Sequence, residues 1–274
     1  MIQDMLTLDW NAWHEPENIG GLLSKIVLAQ HLSKGDPPVM LTLHVSSKVW
    51  QQKIEEVLAD IKQPFSLRFC NNSERCTVMG PSVYEAAEYS LETINELVWE
   101  SAGRRPEIVW KPESIAREAQ FVRGLRAPTL AVHLRRGEQP DLASLDEGVI
   151  DELIEASEHL VSTQLRVLFL SSVTHQVQSM DIIGRWPVVD LSTLPLSRRL
   201  ILSTSADYFL ASASGFCSAA IFSKKPFLIY KHPEHHASSA EREIGPNGIP
   251  PFLSENQLFV RGYPNSGLLV GLLS

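Results

Sequence analysis

The sequence predicts an α/β protein made of two Rossmann-like units with parallel sheets, the N-terminal unit being the smaller. Three observations carry this. Short apolar runs alternate with amphipathic stretches from end to end, the pattern of strands joined by crossover helices. Most of the runs hold β-branched or aromatic residues and stop at Gly, Pro, Ser or Asn, which suits strands that end in turns. No internal repeat or low-complexity tract breaks the alternation. With 274 residues and 44% hydrophobic content the chain can bury a real core.

Taken in order, the strands are "MLTLDW" (5–10), "VMLTLHV" (39–45), "FSLRFC" (65–70), "TLAVHL" (129–134), "RVLFLSS" (166–172), "PVVDLS" (187–192), "ADYFLAS" (206–212) and "PFLIYK" (226–231). After the first strand, Leu22, Ile26, Ala29 and Leu32 recur at helical spacing. "SSKVWQQKIEEVLADIKQ" puts Val49, Ile54, Val57, Leu58 and Ile61 on one helical face with charge opposite. "PSVYEAAEYSLETINELVWES" opens with Ser82 and Glu85 at capping-box spacing and reads as the longest helix. It bridges the halves, so residues 1–78 form an acceptor-side unit and 79–274 a larger donor-binding unit. A single three-layer sandwich is the competing architecture.

The formal charge of −8 argues against wholesale binding to nucleic acid or an anionic membrane. Any anion must therefore be gripped locally. The six tryptophans are dispersed and form no stacking platform. Three cysteines, Cys70, Cys76 and Cys217, show no CxxC spacing, so neither a disulfide framework nor a zinc ribbon is expected. With no basic, apolar leader and no long apolar window, the expected protein is cytoplasmic, without a transmembrane segment. "KHPEHH" holds His232, His235 and His236, but no carboxylate or cysteine joins at ligand spacing, so no metal and no resident cofactor is expected.

Ligands of open parallel sheets sit outside the carboxyl ends of the strands, and three loops there carry unusual residues. In "HLRRGE" alternation puts Leu130, Val132 and Leu134 on one face and Ala131, His133 and Arg135 on the other. A guanidinium is a permanent, forked donor that matches phosphate oxygens, although Arg135 and Arg136 could equally pair with Glu138 or Asp141. In "ASASGFCSAAIF" the small residues from Ala211 to Gly215 precede a short apolar helix. Backbone N–H groups there, with the hydroxyls of Ser214 and Ser218, could cradle a phosphate, or Ser214 could be an ordinary cap. In "WHEPENIGGLLSK" the pair Gly20 and Gly21 opens a helix. Neither a dinucleotide fingerprint nor a P-loop is present. His14, Glu15 and Glu17 in that loop are solvated positions or candidates for a general base, Glu17 first.

Together "AVHLRRGE" and "LSTSADYFLASASGFCSAAIFSKKPFLIY" resemble the fucosyltransferase-type branch of the GT-B glycosyltransferases, over residues 128–230. "NIGGLLSKIVLAQHL" is loosely similar to that family's glycine-rich helix start. The resemblance implies a GT-B-like fold and an inverting, metal-independent transfer of a sugar from a nucleotide-sugar donor such as GDP-fucose to a hydroxyl acceptor. The acceptor could be a glycan, a protein or a small molecule. It implies that Arg135 stabilises the leaving diphosphate, with His133 and Arg136 beside it. It also implies that Ser214, Gly215 and Ser218 lie under the phosphates, and that Asp207, Gly20 and Gly21 belong to the substrate-binding set. Glu138 stands where many members have Asp, and "SGFC" replaces "SSFS". The segment "A-D-x-x-[IL]…S-G…K-P" is also close to the donor-domain signature of heptosyltransferase-like enzymes, which use an ADP-sugar. A non-catalytic nucleotide or sugar-phosphate binding protein is the other alternative.

Overall fold

All eight strands read from the sequence form, and among the described residues three more join them. A computed structural model of the chain describes residues 6–11, 19–35, 38–45, 47–71, 82–84, 94–134, 140–171, 181–231 and 250–274. Two compact units result, Met1–Lys111 with Ser239–Phe252, and Pro112–Ser238 with Leu253–Ser274.

The first unit is a parallel four-stranded sheet of β1 (Leu6–Asn11), β2 (Val39–Val45), β3 (Ser66–Asn71) and β4 (Ser82–Tyr84), in the order β3-β2-β1-β4. Helix α1 (Ile19–Leu32) joins β1 to β2 and is buried on every side from Ile19 to Gln30. Such all-round burial explains why its sequence shows so little polar face. Helix α2 (Lys48–Ala59) starts where the Ser47 side chain accepts a hydrogen bond from the Trp50 N–H. It buries Ile54, Val57 and Leu58, but Val49, expected inward, is 63% exposed.

The predicted long helix fails at its start. Ser82–Tyr84 pairs with β1 as a strand, and helical structure is found at Ile94, continuing as a π-helix over Asn95–Glu100. An open strand edge with unpaired donors and acceptors outweighs a local capping pattern. The unit boundary moves accordingly, to Lys111/Pro112 rather than residue 78. The reason is visible at Gln30, whose Nε2 donates to the carbonyls of Lys62 and Val109, at 2.8 and 2.9 Å, while its Oε1 accepts from the Val109 N–H. Ile61 and Trp110 form an antiparallel bridge beside it. Residues 107–111 are thereby sewn to the first unit.

The second unit holds seven strands: β5 (Thr129–His133), β6 (Arg166–Phe169), β7 (Ile182–Ile183), β8 (Trp186–Asp190), β9 (Tyr208–Ser212), β10 (Phe227–Lys231) and β11 (Gln257–Arg261). Their order is β11-β10-β9-β5-β6-β8-β7, all parallel except the β7–β8 hairpin. Leaving out β7, this is the doubly wound order, with the chain reversing direction across the sheet between β5 and β9. Its helices are α3 (Pro112–Gly124), α4 (Pro140–His159), α5 (Leu196–Ser205), the one-turn α6 (Ser218–Ile221) and α7 (Ser266–Leu273). The predicted alternation in β5 holds, since Leu130, Val132 and Leu134 share a core with Val149, Ile150 and Leu153 of α4 and Leu269 of α7. A buried carboxylate, Glu118 of α3, receives both forks of Arg198 on α5 at 2.7 and 3.0 Å, and Nε of Arg117 at 2.6 Å. This ties α3 to α5.

Cys70 is disulfide-bonded and Cys217 is free and buried. The expectation was of no disulfide framework, and Cys70 nonetheless forms a bond. Pairing depends on how close the fold brings two Cα atoms, which spacing does not reveal. Among the described residues no helix is long and apolar enough to cross a membrane, and no group of three metal-ligating side chains forms. His232, His235 and His236 lie outside the described residues.

Candidate functional site

Doubly wound sheets bind ligands at the carboxyl ends of their strands, in the crevice where strand order reverses. In the second unit that point lies between β5 and β9, where His133 stands opposite Ala211. Of the three loops singled out in the sequence, "ASASG" leaves the sheet at this point, and the first residue of "HLRRGE", His133, ends β5 beside it.

The β5 side is anchored firmly. Leu134 N–H donates to the Ser171 hydroxyl at 2.6 Å, and Leu170 N–H donates to the Val132 carbonyl at 2.9 Å. The next residue, Arg135, and also Arg136 and Glu138, lie outside the described residues. Beside the anchor, Nη1 of Arg199, in the first turns of α5, donates to the Leu170 carbonyl at 2.9 Å. Sequence reasoning missed Arg199 and Ser171. A signal for Arg199 was present in "PLSRRL", where two cations and no acid open a helix just after a strand, against the usual preference of helix N-termini for acids.

On the β9 side, Ala213 N–H donates to the Tyr230 carbonyl at 2.8 Å, and Ser214 is extended, with φ −157°. A 3-10 turn follows over Gly215–Cys217, closed by Cys217 N–H to the Ser214 carbonyl at 3.0 Å. The N–H groups of Gly215 and Phe216 precede that first internal bond, so they are the natural donors to an anion. Helix α6 is one turn long. The turn therefore acts through individual N–H groups more than through a macrodipole, which needs many aligned peptides. Ser214 and Gly215 are half-buried, whereas Ser218 is 8% exposed. Cys217 sits beneath the turn, with Sγ donating to the Ser212 carbonyl at 3.3 Å and lying 3.8 Å from Ser214 Oγ.

One aromatic pair spans the crevice. The rings of His133 and Phe216 stack at 4.1 Å with 12° between planes, and Phe216 also leans on Phe209 at 6.4 Å.

Asp207 requires a correction. It precedes β9, where its Oδ2 accepts from both the N–H and the hydroxyl of Thr129 at 2.9 Å, and its own N–H donates to Thr129 Oγ1 at 3.1 Å. Thr129 starts β5. Both residues thus lie at the amino ends of their strands, roughly 13 Å from the crevice at the rise of a strand. Asp207 locks two strand starts together and does not join the substrate-binding set.

Gly20 and Gly21 are buried in the first turn of α1, with Ser24 Oγ donating to the Gly20 carbonyl at 2.9 Å. They belong to the first unit, and His14, Glu15 and Glu17 lie outside the described residues.

No family model matches the chain. No curated protein matches it either. Solved structures do share its fold. A glycosyl transferase family 9 protein from Veillonella parvula DSM 2008 matches 95% of this chain and 86% of its own, with TM-score 0.58 and 9% identity. The E. coli ADP-heptose lps heptosyltransferase II matches 98% and 97%, with TM-score 0.59 and 11% identity. The E. coli heptosyltransferase WaaC with ADP-2-deoxy-2-fluoro heptose matches 98% of both, with TM-score 0.54 and 10% identity. The fold is accordingly α/β with parallel-dominated sheets, as in these GT-B-like glycosyltransferases.

Proposed function

We propose that this chain is a glycosyltransferase that moves a sugar from a nucleoside diphosphate donor to a hydroxyl acceptor, with an ADP-sugar as the donor. The observation that carries the reading is that β5, whose end leads in sequence into "HLRRGE", and β9, which leads into "ASASG", lie side by side at the switch point of a doubly wound sheet. An ADP-linked donor is favoured over GDP-fucose because the structural neighbours are heptosyltransferases, one holding an ADP-sugar analogue, and not fucosyltransferases. The second unit is taken as the donor side and the first as the acceptor side.

In the proposed reaction the Glu17 carboxylate takes the proton of the acceptor hydroxyl. That oxygen forms a bond to the anomeric carbon while the bond from this carbon to the β-phosphate oxygen breaks, its electron pair leaving with the nucleoside diphosphate. Configuration inverts, and the transition state is oxocarbenium-like. Negative charge grows on the leaving phosphate, where the guanidinium of Arg135, aided by Arg136, supplies the compensating charge. The Ser214 hydroxyl and the N–H groups of Gly215 and Phe216 hold the same diphosphate, and Ser218 supports the turn from below.

The test is a thermal-shift and calorimetric panel of ADP, GDP, UDP and CMP with and without EDTA, followed by transfer assays with the matching sugars. Expected are preference for ADP, indifference to EDTA, and a loss of about 10²–10³-fold in turnover for Arg135→Ala. An Arg135→Ala protein with full affinity and turnover overturns the reading. Nucleotide binding without transfer or donor hydrolysis would identify a non-catalytic binding protein.

A further inference from the structure

The aromatic pair at the switch point has a role that the donor reading does not assign. His133 is the last residue of β5, and Phe216 follows Ser214 and Gly215 in the turn after β9. Their rings stack almost parallel, at 4.1 Å and 12°. Phe216 is 5% exposed and rests on Phe209 of β9, so the ring of His133 presses on a group backed by the core. A 3-10 turn has poor internal hydrogen-bond geometry, and this one has no side-chain cap at Ser214. The stack is therefore one of the contacts that hold it, beside the Ala213 N–H on the Tyr230 carbonyl and Cys217 Sγ on the Ser212 carbonyl. On the other side, the backbone just beyond His133 is pinned by Leu134 N–H on Ser171 Oγ at 2.6 Å. One rigid ring pair thus connects a pinned strand end, two residues before Arg135, to the turn that presents the Gly215 and Phe216 N–H groups.

We propose that His133 is a positioning residue for the donor diphosphate, acting through its stack on Phe216 to hold the turn at Ser214 and Gly215 in register with the end of β5. This rests on the donor-site reading above and deepens it, because it removes His133 from the residues that touch the ligand. What the position requires is a flat ring. An imidazole that bound a phosphate would need its N–H groups, whereas a stacking partner needs only its face.

The experiment is ADP titration calorimetry on the full chain, comparing wild type with His133→Phe, His133→Ala, Phe216→Leu and the double variant His133→Ala/Phe216→Leu. A stacked aromatic pair corresponds to a factor of about 2 to 13 in an equilibrium constant. Expected are affinity within about threefold of wild type for His133→Phe, and a loss of about tenfold for His133→Ala and for Phe216→Leu. The double variant should be no weaker than the weaker single one, since both remove one interaction. Phe216→Leu keeps apolar volume under the turn, so the pair can be broken without emptying the core. Equal loss in His133→Phe and His133→Ala overturns the inference, because the imidazole itself would then be needed. So does wild-type affinity in His133→Ala, or full additivity in the double variant. A wild-type protein that binds no nucleoside diphosphate defeats the donor reading together with this inference, whereas wild-type binding with a failed His133→Phe defeats this inference alone.

Discussion

Replacing Asp207 should weaken the fold and leave nucleotide binding untouched. Its Oδ2 takes two hydrogen bonds from Thr129, at 2.9 Å each, and the reciprocal bond from its own N–H is 3.1 Å. Asp207→Ala deletes both carboxylate bonds and leaves the Thr129 N–H at the start of a central strand without that acceptor. Bonds to a charged group contribute about 1.5–3 kcal/mol each when sheltered. The Asp207 side chain is exposed at the amino ends of the strands, and solvent screens the pair, so the expected loss is about 1–2 kcal/mol in all. Urea denaturation reads it as a lower midpoint at unchanged slope. Thr129→Val removes the same hydroxyl, so the Asp207→Ala/Thr129→Val pair should show coupling of about 0.5–1 kcal/mol. ADP affinity by calorimetry should stay within about twofold, because the carboxylate lies roughly 13 Å along the strand from the crevice. A variant of unchanged stability that loses tenfold or more in ADP affinity, about 1.4 kcal/mol, would refute the placement of Asp207 away from the ligand.

Three further outcomes are expected. Gly184→Ala should destabilise the second unit by about 2–4 kcal/mol, because its φ is +56° and an added Cβ would lie 2.0 Å from Ser157 Oγ and 3.2 Å from Ile154 Cα. Adding Ser157→Ala should restore only part of the urea midpoint, since the backbone contact remains. Glu118→Ala should cost about 3–5 kcal/mol by leaving the Arg198 guanidinium without its carboxylate between α3 and α5, read as a lower melting temperature. His31 is held below its ordinary pKa of 6.5 by burial, then by the nearby charges of Lys34 and Arg104. The unfolded chain therefore takes up this proton more readily than the folded one, so stability is intact above about pH 6.5 and falls as pH drops below it. In His31→Gln the urea midpoint should decline less between about pH 7 and about pH 5 than in wild type.

The local pattern of the chain was enough to place eight strands within a few residues, because alternation and turn residues are written into consecutive positions. It also marked "HLRRGE" and "ASASG" as unusual, since cations and small residues at strand ends need no knowledge of neighbours to be noticed. Ser82 and Glu85 misled for the same reason, as a capping pattern carries no information about the open edge of β1 that Ser82 and Tyr84 pair with. Asp207 looked like part of a binding motif because the A-D segment that carries the resemblance runs on to Ser214. The strand between them separates the two by its whole length. Strand order was decided by tertiary structure alone. It is set by hydrogen-bond ladders between segments far apart in the chain, such as β5 and β9, where Thr129 and Asp207 meet across 78 residues. The same pairing determines that His133, at the end of β5, stacks on Phe216 in the turn after β9. Each loop carries its chemistry in its own residues, whereas this contact depends on which strands lie side by side. That is a property of the whole sheet, set by burying both its faces and pairing its backbone groups.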